Sequence, residues 1–309
     1  MQYENPKIPE GINVSTEHPL KEFSLLVLGL SLVFVIALTI ALFAADYLVK
    51  YIPYSWEQRF ASYIETSFPQ NIESNTIEAE NISAEEIAQL QASKTQVENY
   101  LQQLVAEISE LQQIPEDEPV TLHYIDSDVV NAFATLGNHV FVFTGLLEKL
   151  PNENALFMVL SHEVAHLKHK DPIRALGRGI TLSFLLSVIG GVTDGNAIGQ
   201  HFGQAGLLTA LSFNRDQERA ADLTGLETLT DYYGHSKGAT EFFEFILAEL
   251  NAGSSYEIFN SHPLTEDRIQ TLLANSQITN QPTKPLPEFV QAHLSQLKQI
   301  RQPKQESVE

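Results

Sequence analysis

The sequence predicts a mainly α, α+β domain with a small β-sheet, preceded by a single apolar helix long enough to cross a membrane. Three observations lead there. Residues 23–45 carry no charged side chain, and about 20 apolar residues in a helix span a bilayer. Over most of the remaining chain, apolar residues recur at spacings of three and four, the period of a helix with one buried face. Two short segments, 120–126 (VTLHYID) and 139–143 (HVFVF), alternate instead, which is the period of a strand.

At 309 residues the chain holds one sizeable domain plus extras. Its formal charge of -21 excludes a nucleic-acid partner, because no basic patch can offset phosphate repulsion. Cysteine is absent, which removes disulfides, thiolate metal sites and thiol nucleophiles.

Residues 1–22 form a polar tail with Pro6, Pro9 and Pro19. The apolar run 23–45 is too long and too far from the N-terminus for a cleaved secretory signal, and no small-x-small cleavage site follows it. It reads as a signal anchor through which the chain meets the lipid bilayer, giving a single-pass protein of the cell membrane. Tyr47, Tyr51, Tyr54 and Trp56 suit an interfacial aromatic belt. Lys7 and Lys21 precede the span, and Lys50 and Arg59 follow it. The free amino terminus tips the balance towards tail inside, which in a bacterium puts the main domain in the periplasm.

Residues 46–82 read as an acidic linker, and Lys94 is the one basic residue between positions 65 and 118. The main domain is expected over 83–300, opening with a capping box at Ser83-Ala84-Glu85-Glu86. Ile87, Leu90, Lys94, Val97, Leu101, Leu104, Ile108 and Leu111 then form a helical stripe. As a heptad seam, 87–111 offers self-association. The alternative is packing on the main domain, favoured because Lys94 interrupts the seam.

The chemistry centres on 160–169, LSHEVAHLKH, where His162, Glu163 and His166 stand in the pattern H-E-x-x-H. Leu156, Val159, Leu160, Val164 and Leu167 make this segment a helix, with Asn152 as N-cap, Glu153 in the first turn and Asp171-Pro172 as the stop. Residues four apart share a helical face, so both imidazoles can grip one zinc ion while Glu163 reaches water beside it. A third ligand is found in 213–222, FNRDQERAAD, where Glu218 and Asp222 are again four apart. Two histidines and a carboxylate leave zinc a fourth position, and Asp222 can hydrogen-bond a ligand histidine from behind. The competing reading is an exposed acidic face paired with Arg215 and Arg219. His169 lies one further turn along from His166 and can compete as ligand, although Lys168 and Lys170 beside it point to solvent. His18, His123, His201, His235 and His293 have no motif around them.

HEVAH, FNRDQERAAD and SHPLTEDRI (261–269) resemble the three signatures of the membrane-associated zinc metallopeptidases that include HtpX and the CAAX prenyl proteases. NAFATLGNHVFVFTGLL (131–147) is similar to the strand segment before the zinc helix in that family. The resemblance covers roughly 120–269. It implies a zincin-like metallopeptidase domain with one Zn2+ per chain bound by His162, His166 and Glu218, and Glu163 as general base. It further implies that His262 and Arg268 line the site as catalytic groups, His262 donating to the developing oxyanion with Arg268 in support. The strand around Asn138, His139, Val140 and Phe141 is implied to hold an extended peptide by backbone pairing. Alternation alone allows equally that the strands merely roof the helices.

Between the two metal-bearing helices, 179–211 is apolar and glycine-rich, with Gly190-Gly191 and Asp194-Gly195 as breaks. A lid, a membrane-dipping hairpin and plain core compete; a hairpin close to the membrane that also gates the site is favoured. Helices over 238–250, 264–274 and 287–300 complete the domain, and 301–309 is a loose tail.

The expected activity is that of a membrane-anchored zinc endopeptidase acting on polypeptides. The anchor and the family resemblance point to misfolded or damaged membrane and envelope proteins. One rival is a non-catalytic, zinc-containing scaffold or chaperone, which requires a site closed by four protein ligands. Another is a zinc hydrolase of non-peptide bonds. A single full span does not build a multi-span chamber, so a prenylated substrate is not expected.

Overall fold

A computed structural model of the chain describes residues 19–65, 83–190, 213–241, 244–245, 247–248, 262, 266–277 and 281–301. Its elements, in order, are α1 (Pro19–Leu48), a 3-10 turn (Val49–Tyr51), α2 (Tyr54–Glu65), α3 (Ala84–Leu111), β1 (Thr121–Ile125), β2 (Ala132–Thr135), β3 (His139–Phe143), α4 (Thr144–Lys149), α5 (Glu153–Lys168), α6 (Asp171–Gly190), α7 (Arg215–Tyr233), α8 (Glu266–Asn275) and α9 (Glu288–Arg301). The architecture is mostly helical with a three-stranded sheet and one N-terminal apolar helix, as the sequence predicts. Of the helices 238–250, 264–274 and 287–300, the last two appear as α8 and α9; in the first, 241, 244–245 and 247–248 are helical and 242–243, 246 and 249–250 lie outside the described residues.

α5 is the axis of the domain. Asn152 caps it by accepting from the Ala155 N–H, and every residue from Glu153 to Leu167 is buried. Its apolar stripe accounts for one face only; the rest is enclosed because α7, α3, α6 and β2 pack around it. α3 starts at the capping box of Ser83 and Glu86 and buries Val97, Leu101, Leu104, Val105 and Ile108. The stripe that offered self-association is thus committed to the chain's own core along most of its length, leaving Ile87 and Leu111 exposed at its ends.

The sheet runs in the order β1-β3-β2. β3 is parallel to β1, from Thr121↔His139 to Ile125↔Phe143, and antiparallel to β2, from Ala132↔Val142 to Thr135↔His139. This corrects the expectation for the substrate strand. His139, Val140 and Phe141 lie on the central strand, whose two edges are both paired, and Asn138 sits in the preceding turn with φ 60. Such a strand has no free N–H or C=O row for a peptide. The β1 edge is blunted by Gln102 of α3, which accepts from Leu122 N–H (2.8 Å) and donates to Val120 C=O (3.0 Å).

The segment 46–82 is not merely a linker. Its first part folds as the 3-10 turn and α2, and these dock on the domain. Val49 is buried with Ala61, Leu136 and Ile173, and the Tyr54 hydroxyl donates to Gly137 C=O at 3.2 Å. Gly137 is at φ +76, and a Cβ there would lie 2.6 Å from that of Ala61, so the β2–β3 turn needs glycine both for conformation and for space. Lys170, just after α5, bridges Glu57 (3.1 Å) and Glu118 (3.0 Å).

α1 is long and apolar enough to cross a membrane, and none of its most apolar stretch is buried within the chain. It packs along α6, which continues unbroken to Gly190, so the first part of the 179–211 segment prolongs a helix; the remainder, 191–211, lies outside the described residues. Arg301, placed in the tail from sequence, ends α9 and pairs with Asp126 and Asp128.

Candidate metal centre

Two helices that pack closely on each other build the site. α5 presents His162 and His166 one turn apart, and α7 presents Glu218 and Asp222 in the same way. Gly225 lets the backbones approach: a Cβ on it would stand 3.2 Å from the His162 amide nitrogen. α7 begins with a capping box in which Asn214 accepts from Gln217 N–H and the Gln217 side chain returns to the Asn214 N–H. The cap fixes the first turn, and with it Glu218.

His162, His166, Glu218 and His262 each offer one ligand atom, all within 4.8 Å of one another, and all four residues are buried. His162 Nε2 is 3.0 Å from His166 Nε2, and Glu218 lies 3.5 Å from the first and 3.7 Å from the second. His262 Nδ1 approaches Glu218 Oε1 to 2.9 Å and His162 Nε2 to 3.3 Å. Phe213 stacks on the His166 ring at 4.0 Å and covers it.

Each α5 imidazole is held from behind by a carboxylate. Asp222 Oδ1 is 3.0 Å from His162 Nδ1, as its sequence position suggests. Asp171 Oδ2 is 2.9 Å from His166 Nδ1. Sequence reading missed this second partner, taking Asp171 only as a helix stop; its place just past the end of α5 was the available signal. Carboxylates in these positions fix the tautomer that turns Nε2 towards the centre.

Arg268 meets the cluster through its carboxylates. Its guanidinium forks onto Asp222 through Nε and Nη2, both at 2.8 Å, and reaches Glu218 Oε2 through Nη1 at 2.8 Å. Buried and engaged with both carboxylates, it ties α8 to α7. Glu163 stands beside the cluster at 1% exposure, with Oε2 accepting from Ala134 N–H at 2.8 Å and Oε1 3.5 Å from His262 Nε2. His169 lies outside the cluster, 3.4 Å from Thr224 Oγ1.

The electrostatics ask for a cation. Burial pushes the His162 pKa down, but the carboxylates of Asp222 and Glu218 outweigh it and raise it to about 10. Burial dominates at His166 and lowers it to about 3 despite Asp171, leaving a neutral imidazole. Glu218, although burial opposes its charge, is held well below the ordinary carboxylate range by His262 and His162. Burial raises the Glu163 pKa. A buried, ionised carboxylate facing converging ring nitrogens fits a positive ion. Imidazole nitrogen and carboxylate oxygen are the donors zinc takes.

Residues 95–276 match the model of Peptidase family M48. The chain belongs to this family. Among similar M48 relatives, the protease HtpX homolog of Persephonella marina is 27% identical over 215 residues, 56% of this chain and 73% of that one. The mitochondrial metalloendopeptidase OMA1 of Schizosaccharomyces pombe is 31% identical over 155 residues, 49% of this chain and 45% of that one. The beta-barrel assembly-enhancing protease of Escherichia coli is 28% identical over 163 residues, 49% of this chain and 33% of that one. The chain therefore spans less than half the length of the last two. Family M48 comprises metallopeptidases, and the buried His/Glu cluster is a candidate site for their metal.

Proposed function

We propose that this chain is a membrane-anchored zinc-dependent endopeptidase whose metal is held by His162, His166 and Glu218, with Glu163 as general base. The convergence of those three side chains beside a buried, proton-avid Glu163 carries the reading. When bound, zinc supplies Lewis-acid polarisation of the scissile carbonyl and of water. Glu163 takes the proton from the attacking water and returns it to the leaving amine. The Ala134 N–H holds the Glu163 carboxylate in place for both transfers. Because Ala134 is on the β2 edge turned towards Glu163, an extended substrate is best accommodated along β2.

His262 completes a set of four donors, the number of a closed zinc site. Hydrolysis needs one position given up to the reactants. His262 is the donor that sits outside the helices, so it is the one that swings aside and then donates to the oxyanion. The same fourth donor is the observation that favours the rival, a non-catalytic zinc-containing scaffold. Against the rival stands Glu163, which as a structural residue gains nothing from being buried beside the ion.

The exposed apolar α1 supports anchoring in a membrane, and the HtpX resemblance supports misfolded or damaged membrane and envelope proteins as substrates. With the tail inside, the domain of a bacterial chain faces the periplasm. The test is cleavage of an unfolded protein such as casein by the full chain in detergent, beside Glu163→Gln at matched zinc content. Cleavage by the wild type alone supports the reading; cleavage by both removes Glu163 from the mechanism, and cleavage by neither with one zinc bound per chain points to the scaffold.

A further inference from the structure

A line of polar contacts runs from the end of α1 to the metal cluster. Asp46 Oδ1 in the last turn of α1 lies 3.3 Å from Arg178 Nη1 on α6. Arg178 Nη2 donates to Gln217 Oε1 on α7 at 2.8 Å. Gln217 Nε2 donates to Asp171 Oδ1 at 2.6 Å, and Asp171 Oδ2 is 2.9 Å from His166 Nδ1. Four successive contacts thus join the membrane helix to an imidazole of the centre.

Gln217 and Asp171, the buried members of this line, have little freedom to rearrange. Gln217 Oε1 also accepts from the Asn214 N–H at 3.1 Å as part of the α7 cap. Its amide is therefore held at both ends, and it is bonded in sequence to Glu218. Asp171 has no exposed surface and shares its two oxygens between Gln217 and His166. Gln217 thus bears on two donors at once, Glu218 through the backbone and His166 through Asp171. Arg178 closes the line because its planar fork addresses two partners in different directions, which a lysine ammonium does less well. α1 itself is seated against α6, and Val49 just beyond it is buried with Ile173 of α6.

We propose that Arg178 is a positioning residue that couples the seat of the membrane helix to the metal centre through Gln217 and Asp171. The inference rests on the reading of that cluster as a zinc site. Its physical content is that a displaced α1 removes Asp46 from Arg178, the guanidinium loses its orientation on Gln217, and both His166 and Glu218 lose part of their support. The membrane anchor then acts on zinc affinity as well as on location.

The test uses the full chain in phospholipid nanodiscs, with zinc affinity read by competition with a chromogenic chelator and cobalt substitution read by visible absorption. Removal of a group that supports a metal ligand weakens affinity by about 10–100-fold. Arg178→Met is expected to weaken zinc binding by about 10-fold and to alter the cobalt spectrum, with Arg178→Lys in between. Asp46→Asn is expected to weaken binding in the same direction by a smaller factor. The double variant is expected to be no worse than Arg178→Met, since Asp46 acts through Arg178. Thermal unfolding of each variant separates loss of support from loss of fold: a weakened site in a chain that melts as the wild type does supports the coupling. Affinity unchanged in both single variants, or additive losses in the double, overturns it while leaving the zinc site intact. Wild-type zinc binding that His166→Ala does not disturb overturns the zinc reading itself.

Discussion

Asp171 Oδ2 stands 2.9 Å from His166 Nδ1 and mirrors Asp222, whose Oδ1 is 3.0 Å from His162 Nδ1. The two carboxylates come from different helices, one from the start of α6 and the other from α7, and each holds the Nδ1 of its histidine, which leaves Nε2 for the centre. Asp171→Asn and Asp222→Asn are each expected to weaken zinc binding by about 10–100-fold. Chelator competition measures this, and full affinity in either variant removes that residue from the support of the site.

Glu163 is the group whose loss separates chemistry from metal holding. Glu163→Gln keeps size and can still meet the Ala134 N–H through its carbonyl oxygen, but it does not accept a proton from water. Turnover is expected to vanish with zinc content unchanged, measured by casein cleavage and metal analysis of the same sample. A variant that lost its zinc would show that Glu163 is a ligand.

Arg268 neutralises two buried carboxylates, so its removal leaves both without their partner. Arg268→Met is expected to cost about 3–5 kcal/mol, the usual penalty for breaking a buried ion pair from one side. Urea unfolding reads the loss, and a change under about 1 kcal/mol contradicts the burial of this pair.

Gly225 sets the distance between α5 and α7. A Cβ would already meet the His162 amide nitrogen and the Met158 side chain at 3.2 Å, so Gly225→Val must spread the helices that carry the donors. The expected cost is about 1–3 kcal/mol of stability from overpacking, accompanied by weaker zinc binding. Wild-type affinity in Gly225→Val would mean the helices do not need this contact.

His293 of α9 is buried, with Nδ1 2.8 Å from Ser93 Oγ of α3. Burial lowers its pKa below the usual histidine value. The unfolded chain therefore takes up the proton first, and the stability lent by the neutral ring is full above about pH 6.5 and falls as pH drops below it. His293→Phe is expected to flatten that part of the melting temperature's dependence on pH. An identical slope in wild type and variant would show that other groups carry it.

Much of the site was legible because its parts are local. The i, i+4 spacing of His162 and His166, and of Glu218 and Asp222, fixes a shared face whatever the rest of the chain does. The Asn152 cap and the Ser83–Glu86 capping box were read correctly for the same reason. Strand 139–143 was found by its alternation, but alternation is silent about neighbours, so its central place between β1 and β2 was not foreseen. α2 was passed over because a short helix of mixed composition gives little periodic signal, and its tyrosines and tryptophan suited an interface equally well.

The sequence by itself determined the apolar α1, the helical character of α5 and α7, and the residue types able to hold a metal, since composition and short-range periodicity specify these without reference to packing. Only the tertiary structure decided that Arg268 serves Asp222 and Glu218, and that Asp46, Arg178, Gln217 and Asp171 lead to His166. The Arg268–Asp222 and Gln217–Asp171 contacts each join residues 46 apart in the chain, and Arg178 meets Asp46 across 132. Contacts of that range depend on how helices pack and not on any spacing, so they become visible only once the core of α3, α5 and α7 has set the side chains against one another.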